Sequence, residues 1–202
     1  KEGKIRSYMA SVRCVVRAEV IAAGSPLAAK TAAITEGASS FSFTMNGAEM
    51  TVSRSGPSCP SSCIQPMTAA AGVDTLGELE VIGFLQNAVS NGSGLLVDVR
   101  MPGTFSSGSV PGAVNVPVAT FLPDNPYRSD LLSALGVSTP DTSPGFGTAF
   151  TLVIFGNGPD DGTARDAIQH LLGAGYPASK VKYYRGGASS WSALGLNISV
   201  GQ

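Results

Sequence analysis

The chain has 202 residues, the size of one ordinary domain with an appendage or of two small ones, and long enough to bury a core without covalent staples. Thirteen Lys and Arg against 14 Asp and Glu leave a formal charge of −1, which excludes an electrostatic footprint for nucleic acid or anionic lipid. Charged residues make up only 13% and apolar ones 43%, with 25 Gly and 13 Pro, so the chain is a folded protein whose surface is finished by Ser, Thr and backbone.

Residues 1–40 read as a separate extension. A basic start (Lys1, Lys4, Arg6, Arg13, Arg17) leads into an Ala-rich stretch broken by Gly24 and Pro26. Val12, Cys14, Val16, Ala18 and Val20 alternate as a strand would, yet Val12, Val15, Val16 and Val20 also make a helical stripe, and Leu27 to Glu36 has high helix propensity before Gly37, so the segment is read as helical. That stripe needs a cover, so the expectation is contact with a protein partner or self-association through this segment. A start at Lys1 without Met is what a processed or trimmed chain shows. Together with the low charge and the Ser/Thr/Gly-rich composition, it tilts the localisation toward periplasmic or extracellular. Apolar runs such as Leu152 to Phe155 are far too short for a membrane span.

Residues 41–71 follow as a hairpin and connector. Phe41 to Met45 and Ala48 to Val52 alternate apolar and polar around Asn46-Gly47, the strongest short-range hairpin signal. The Pro/Ser-rich connector holds Cys59 and Cys63, whose C-x3-C spacing suits a disulfide or redox pair, two inert thiols, or half of a metal site. Zinc would need two more ligands, and His170 is the only histidine, so no metal and no cofactor are expected.

Residues 72–202 form the α/β part. Thr75-Leu-Gly-Glu78 has the spacing of a capping box and predicts a helix from Thr75, with Leu76, Leu79, Ile82, Phe84 and Leu85 apolar and Asn91-Gly92 as the stop. Then come strands at Leu95 to Val99, Val114 to Val116, Phe150 to Phe155 and Val181 to Tyr184, alternating with helices at Arg128 to Leu135, Thr163 to Leu172 and Ala188 to Leu194. Strand and helix in alternation require crossovers, hence a parallel sheet with helices on both faces. His170 lies beside the apolar stripe Ala164, Ala167, Ile168, Leu171 and Leu172, which makes it a surface residue rather than a base.

Asp98-Val-Arg100-Met-Pro-Gly-Thr-Phe105 followed by Gly108-Ser-Val-Pro-Gly-Ala-Val-Asn-Val-Pro117 resembles the signature of the rhodanese superfamily, and Gly186-Gly187-Ala-Ser-Ser-Trp191 with Gly195 resembles its second signature. The likeness covers about residues 72–198. Cys59-Pro-Ser-Ser-Cys63-Ile-Gln65-Pro66, with the hairpin, extends it to a bacterial branch carrying a Cys-Pro-x-x-Cys-Ile-Gln-Pro segment before the domain. The resemblance implies a rhodanese-like α/β fold, with an N-terminal β-hairpin and helical extension. On the residues alone, Asp98 and Arg100 suit an ion pair that clamps a loop, Gly186 and Gly187 a strand-to-helix turn, and Trp191 a plug of helix onto sheet.

The resemblance also implies a sulfur-carrying cysteine just after the Phe150 to Phe155 strand, in a loop whose backbone N–H groups converge on the sulfur. Here that run is Gly156-Asn157-Gly158-Pro159-Asp160-Asp161-Gly162, with Gly156 in place of the cysteine and Asp161 in place of the branch's second one. The degenerate loop assigns no catalytic residue. The two acids oppose anion binding, and one of them also suits a helix cap. The expected function is therefore a catalytically inactive rhodanese-like protein acting as a binding or structural module. The alternatives are a sulfurtransferase or thiol oxidoreductase using Cys59 or Cys63, and a filament or surface-assembly subunit working through residues 1–40.

Overall fold

A computed structural model of the chain describes residues 34, 35, 37, 38, 40–57, 59–138 and 143–200. The helical extension and interaction stripe read in residues 1–40 lie almost wholly outside the described residues, as does Cys14. The chain divides into two compact units, 1–57 and 58–202, so the Cys-rich connector belongs with the α/β unit rather than with the hairpin.

In the first unit β1 (Ser40–Met45) pairs antiparallel with β2 (Ala48–Ser53). The turn is the expected one: Asn46 (φ 52°) and Gly47 (φ 77°) both take the left-handed conformation of a two-residue hairpin turn. The register sets Phe41 opposite Val52, Phe43 opposite Met50 and Met45 opposite Ala48, which collects the apolar side chains on one face.

The second unit is a five-stranded parallel sheet in the order β3-β7-β6-β4-β5. Its elements run β3 (Asp74–Leu76), α1 (Glu78–Phe84, prolonged by a wider turn Leu85–Val89), β4 (Gly94–Asp98), α2 (Pro102–Ser107), β5 (Ala113–Asn115), α3 (Arg128–Ala134), β6 (Thr151–Phe155), α4 (Thr163–Gly173), β7 (Val181–Tyr184) and α5 (Gly187–Ala193). Alternation along the strands splits the core into two layers. Val97, Leu152, Ile154, Val181 and Tyr183 face α3 and α4, while Leu96, Val153, Phe155 and Tyr184 face α1, α2 and α5. Helices thus cover both faces, and every parallel strand ends on the same edge.

Two expectations are corrected. The helix does not begin at Thr75: residues 74–76 pair with β7, and α1 starts after Gly77, whose N–H is held by Glu80 Oε2 at 3.0 Å. The capping residue is thus Glu80, not Glu78, because parallel pairing with Tyr183 and Tyr184 claims Thr75 and Leu76 first. The phase shifts accordingly: Val81 is fully buried and Leu79 is 78% exposed.

Candidate functional site

The site lies where β4, β6 and β7 end, the edge at which parallel sheets expose loops and helix starts. Three pieces meet there: the 156–162 loop between β6 and α4, the Gly186-Gly187 turn into α5, and the connector 59–67.

The loop closes around a carboxylate. Asn157 N–H donates to Asp161 Oδ2 at 2.7 Å, Thr163 N–H to Oδ1 at 2.9 Å, and the Thr163 hydroxyl to Oδ2 at 2.9 Å. Asp161 therefore satisfies amides at the loop and at the start of α4, next to the positive end of that helix. It fills the space in front of Gly156: a Cβ there would sit 2.6 Å from Asp161 Oδ2 and 2.8 Å from Thr163 Oγ1, closer than real side-chain carbons come. The two acids part company, since Asp160 Oδ2 accepts instead from the Ser62 hydroxyl of the connector at 2.7 Å.

The α5 turn grips the loop from the other side. Ala188 N–H donates to Gly156 O at 3.2 Å and Ser189 N–H to Asn157 O at 2.8 Å. Gly187 has φ 59°, and a Cβ on it would lie 2.5 Å from Gly156 O and 2.7 Å from Asn157 C, so only glycine lets the turn approach. Gly158 packs as closely on Ser189, and Trp191 plugs the helix onto the sheet with its indole N–H donating to Asn197 O at 2.8 Å.

The connector covers the loop. Cys59 and Cys63 are joined in a disulfide with Cα atoms 4.6 Å apart. Two residues on, Gln65 is 8% exposed and fully engaged. Its N–H donates to Pro159 O (2.8 Å) and its Nε2 to Cys63 O (2.8 Å), while its Oε1 accepts from Arg165 Nη1 (2.9 Å) and its main-chain O from Arg185 Nε (2.9 Å). The Tyr183 hydroxyl is buried without a hydrogen-bond partner among the described residues, as is Arg165 Nε. Burial pushes the Tyr183 hydroxyl's pKa up, partly opposed by the Arg185 and Arg165 charges and reinforced by Asp161.

Asp98 and Arg100 stand at the end of β4 as a buried ion pair. Arg100 Nη2 reaches Asp98 Oδ2 at 2.6 Å and its Nε both carboxylate oxygens; the same Nη2 donates to Gly108 O at 2.8 Å, and the Ser109 hydroxyl closes on Oδ2 at 2.7 Å. Every acceptor there is used internally. His170 is half-buried on α4, its carbonyl meeting Arg128 Nη2 at 3.4 Å. Among the described residues no group of three or more His, Cys, Asp or Glu is placed to hold a metal, and no helix is long and apolar enough to cross a membrane.

The sequence pointed to the loop, the clamp and the cysteine pair. Nothing in it marks Gln65, Arg165, Arg185 and Tyr183 as one cluster, since they meet only when the connector folds back onto elements 100 or more residues away.

A family model described as a rhodanese-like domain matches residues 83–194. Solved structures similar to the chain include a thiosulfate sulfurtransferase from Pseudomonas aeruginosa (21% identity, TM-score 0.45, 64% of this chain and 21% of that one). Others are a rhodanese-like domain from Anabaena (19%, TM-score 0.41, 65% and 80%) and a Rhodopseudomonas palustris protein of unknown function described as a possible tyrosine phosphatase (20%, TM-score 0.45, 65% and 88%). The chain spans about a fifth of the length of the Pseudomonas enzyme. These likenesses bear on the fold alone. No curated protein sequence matches.

Proposed function

Since the chain belongs to the rhodanese-like domain family, what stands at the end of β6 decides the reading, and we propose that this member is catalytically inactive and acts as a binding module. The carrying observation is the position of Asp161. Its carboxylate takes the N–H and O–H donors of the loop and fills the space in front of Gly156, where the family resemblance puts the sulfur. A thiolate or incoming thiosulfate would have to displace an anion tied into the chain itself. Two observations support the inactive reading: the Asn157 and Thr163 N–H donors are taken up by Asp161, and Cys59 and Cys63, the cysteines of the α/β unit, are paired in the disulfide. The experiment is thiocyanate formation from thiosulfate and cyanide by the full chain. No turnover above buffer is expected; turnover abolished by Cys63→Ser overturns the reading and favours the alternative, a sulfurtransferase or thiol oxidoreductase working through the connector cysteines. That alternative draws on one feature, the placing of the cysteine loop against Asp160 through Ser62. Export, a disulfide in an oxidising compartment and assembly through residues 1–40 complete the proposal, the disulfide supporting the first two.

A further inference from the structure

Gln65 stands where a ligand would. Two guanidiniums, Arg165 from α4 and Arg185 from the end of β7, converge on it from different elements, each donating to a different oxygen of the same residue. Neither has a carboxylate within ion-pair distance among the described residues. Beside them lie two buried donors that Gln65 leaves unused, Arg165 Nε and the Tyr183 hydroxyl, the latter 1% exposed and within electrostatic reach of both arginines. Buried donors without acceptors are costly and rare, and charged planar donors are matched best by an oxyanion with two acceptor atoms. Gln65 offers two acceptors but no charge.

What holds Gln65 there is the connector. Its own side chain ties back to Cys63 O, its N–H to Pro159 O, and Ser62 to Asp160. The Cys59–Cys63 bridge closes the segment immediately before it, and both cysteines are only half-buried, within reach of a small dithiol. Opening is a two-electron exchange: the dithiol's thiolate attacks the bridge, its second thiol displaces the mixed disulfide, the reductant leaves as its own disulfide, and Cys59 and Cys63 each end as a thiol.

We propose that Arg165, Arg185 and Tyr183 form a covered site for a small oxyanion with two acceptor oxygens, a carboxylate or a sulfate, which Gln65 occupies while Cys59–Cys63 is oxidised and vacates when that disulfide is reduced. The proposal rests on the non-catalytic reading in one respect: Asp161 stays among the loop amides, leaving the guanidiniums to the ligand. Because Asp161 offsets part of their field, recognition follows the two-acceptor geometry rather than net charge.

The test follows the Nε–H resonances of Arg165 and Arg185 in the full chain while sodium acetate or sodium sulfate is added at constant ionic strength, with chloride as the reference. The reduced chain is expected to show saturable shifts of both resonances. The oxidised chain shows none, and Gln65→Ala, which removes the side-chain acceptor of Arg165 but keeps the main-chain oxygen that Arg185 meets, shows the saturable shift of Arg165 even when oxidised. Arg165→Gln and Arg185→Gln each weaken binding roughly tenfold or more, the loss expected for one charge-assisted hydrogen bond. Acetate and sulfate curves tell which oxyanion fits. Shifts equal in the oxidised wild-type chain, shifts reproduced by chloride, or no saturation in both the reduced chain and Gln65→Ala overturn the proposal. The Gln65→Ala arm keeps it falsifiable if reduction unfolds the protein. Sulfur transfer is read in a separate assay, so the two readings fail separately.

Discussion

Asp98 has no exposed surface, yet it carries a charge, and it is tolerated because Arg100, the Arg100 N–H and the Ser109 hydroxyl all donate to it. Removing one partner of such a pair leaves an uncompensated buried ion, which costs about 3–5 kcal/mol, whereas loss of one hydrogen bond to a charged group costs about 1.5–3 kcal/mol. Arg100→Ala is therefore expected to lower the unfolding free energy, read from urea midpoints at unchanged slope, by more than Ser109→Ala; equal losses would mean that the pair contributes no more than a single hydrogen bond. The Asp-x-Arg pairing is legible in the sequence because the two residues are neighbours at a strand end. Ser109 is not, since its hydroxyl arrives from eleven residues away. Asp161 is the instructive case: the sequence shows its charge at the mouth of the loop, but only the folded chain shows the carboxylate turned inward to serve the amides, as an internal acceptor rather than an outward repulsion.

At the scale of elements, the strands inside the α/β alternation were readable, the three-residue β5 to within one residue, whereas the edge strand β3 was not. The run 152–155 is continuously apolar and falls on a central strand, buried on both faces. By contrast β3 has three residues, too few to show a period, and its Thr75 mimics a cap. The six-residue α2, opened by Pro102 in its first turn, gave no stripe to read. The turn into α5 was legible from Gly186-Gly187, though the reason for glycine lies in the loop it meets. Gly187→Ala forces a side chain to φ 59° and against Gly156 O, so it should destabilise by about 1–3 kcal/mol from the backbone alone, with further loss from the contact. A thermal melt checks it; an unchanged midpoint would show that α5 and the loop are not tightly joined.

At the scale of the whole molecule, three tyrosines anchor the sheet's core, Tyr176, Tyr183 and Tyr184, and burial raises the pKa of each, with Glu78 adding to the rise at Tyr184 through the hydrogen bond its Oε1 accepts at 3.0 Å. A pKa raised in the folded state means that folding favours the neutral phenol. Its stabilisation is complete below the unfolded value near pH 10 and is lost as pH rises above it. Urea midpoints should therefore hold up to about pH 9 and fall by about pH 11, and a flat profile would contradict the burial of these hydroxyls. The connector from Cys59 onward, the loop and the arginines fall in one compact unit, 58–202, so every residue of the proposed site belongs to the α/β unit.

The central claim is that Asp161 holds the place of a sulfur nucleophile, and it is tested most directly by installing one. In a Cys14→Ser background with Cys59–Cys63 oxidised, Gly156→Cys supplies a single countable thiol, whose reaction with a disulfide reagent at neutral pH reports whether the loop receives it. The predicted result is a slow or silent thiol in Gly156→Cys, crowded by the Asp161 carboxylate, and a fast one when Asp161→Ala is added, because the loop amides are then free to stabilise a thiolate. A fully reactive thiolate in the single variant, with Asp161 unchanged, would contradict it.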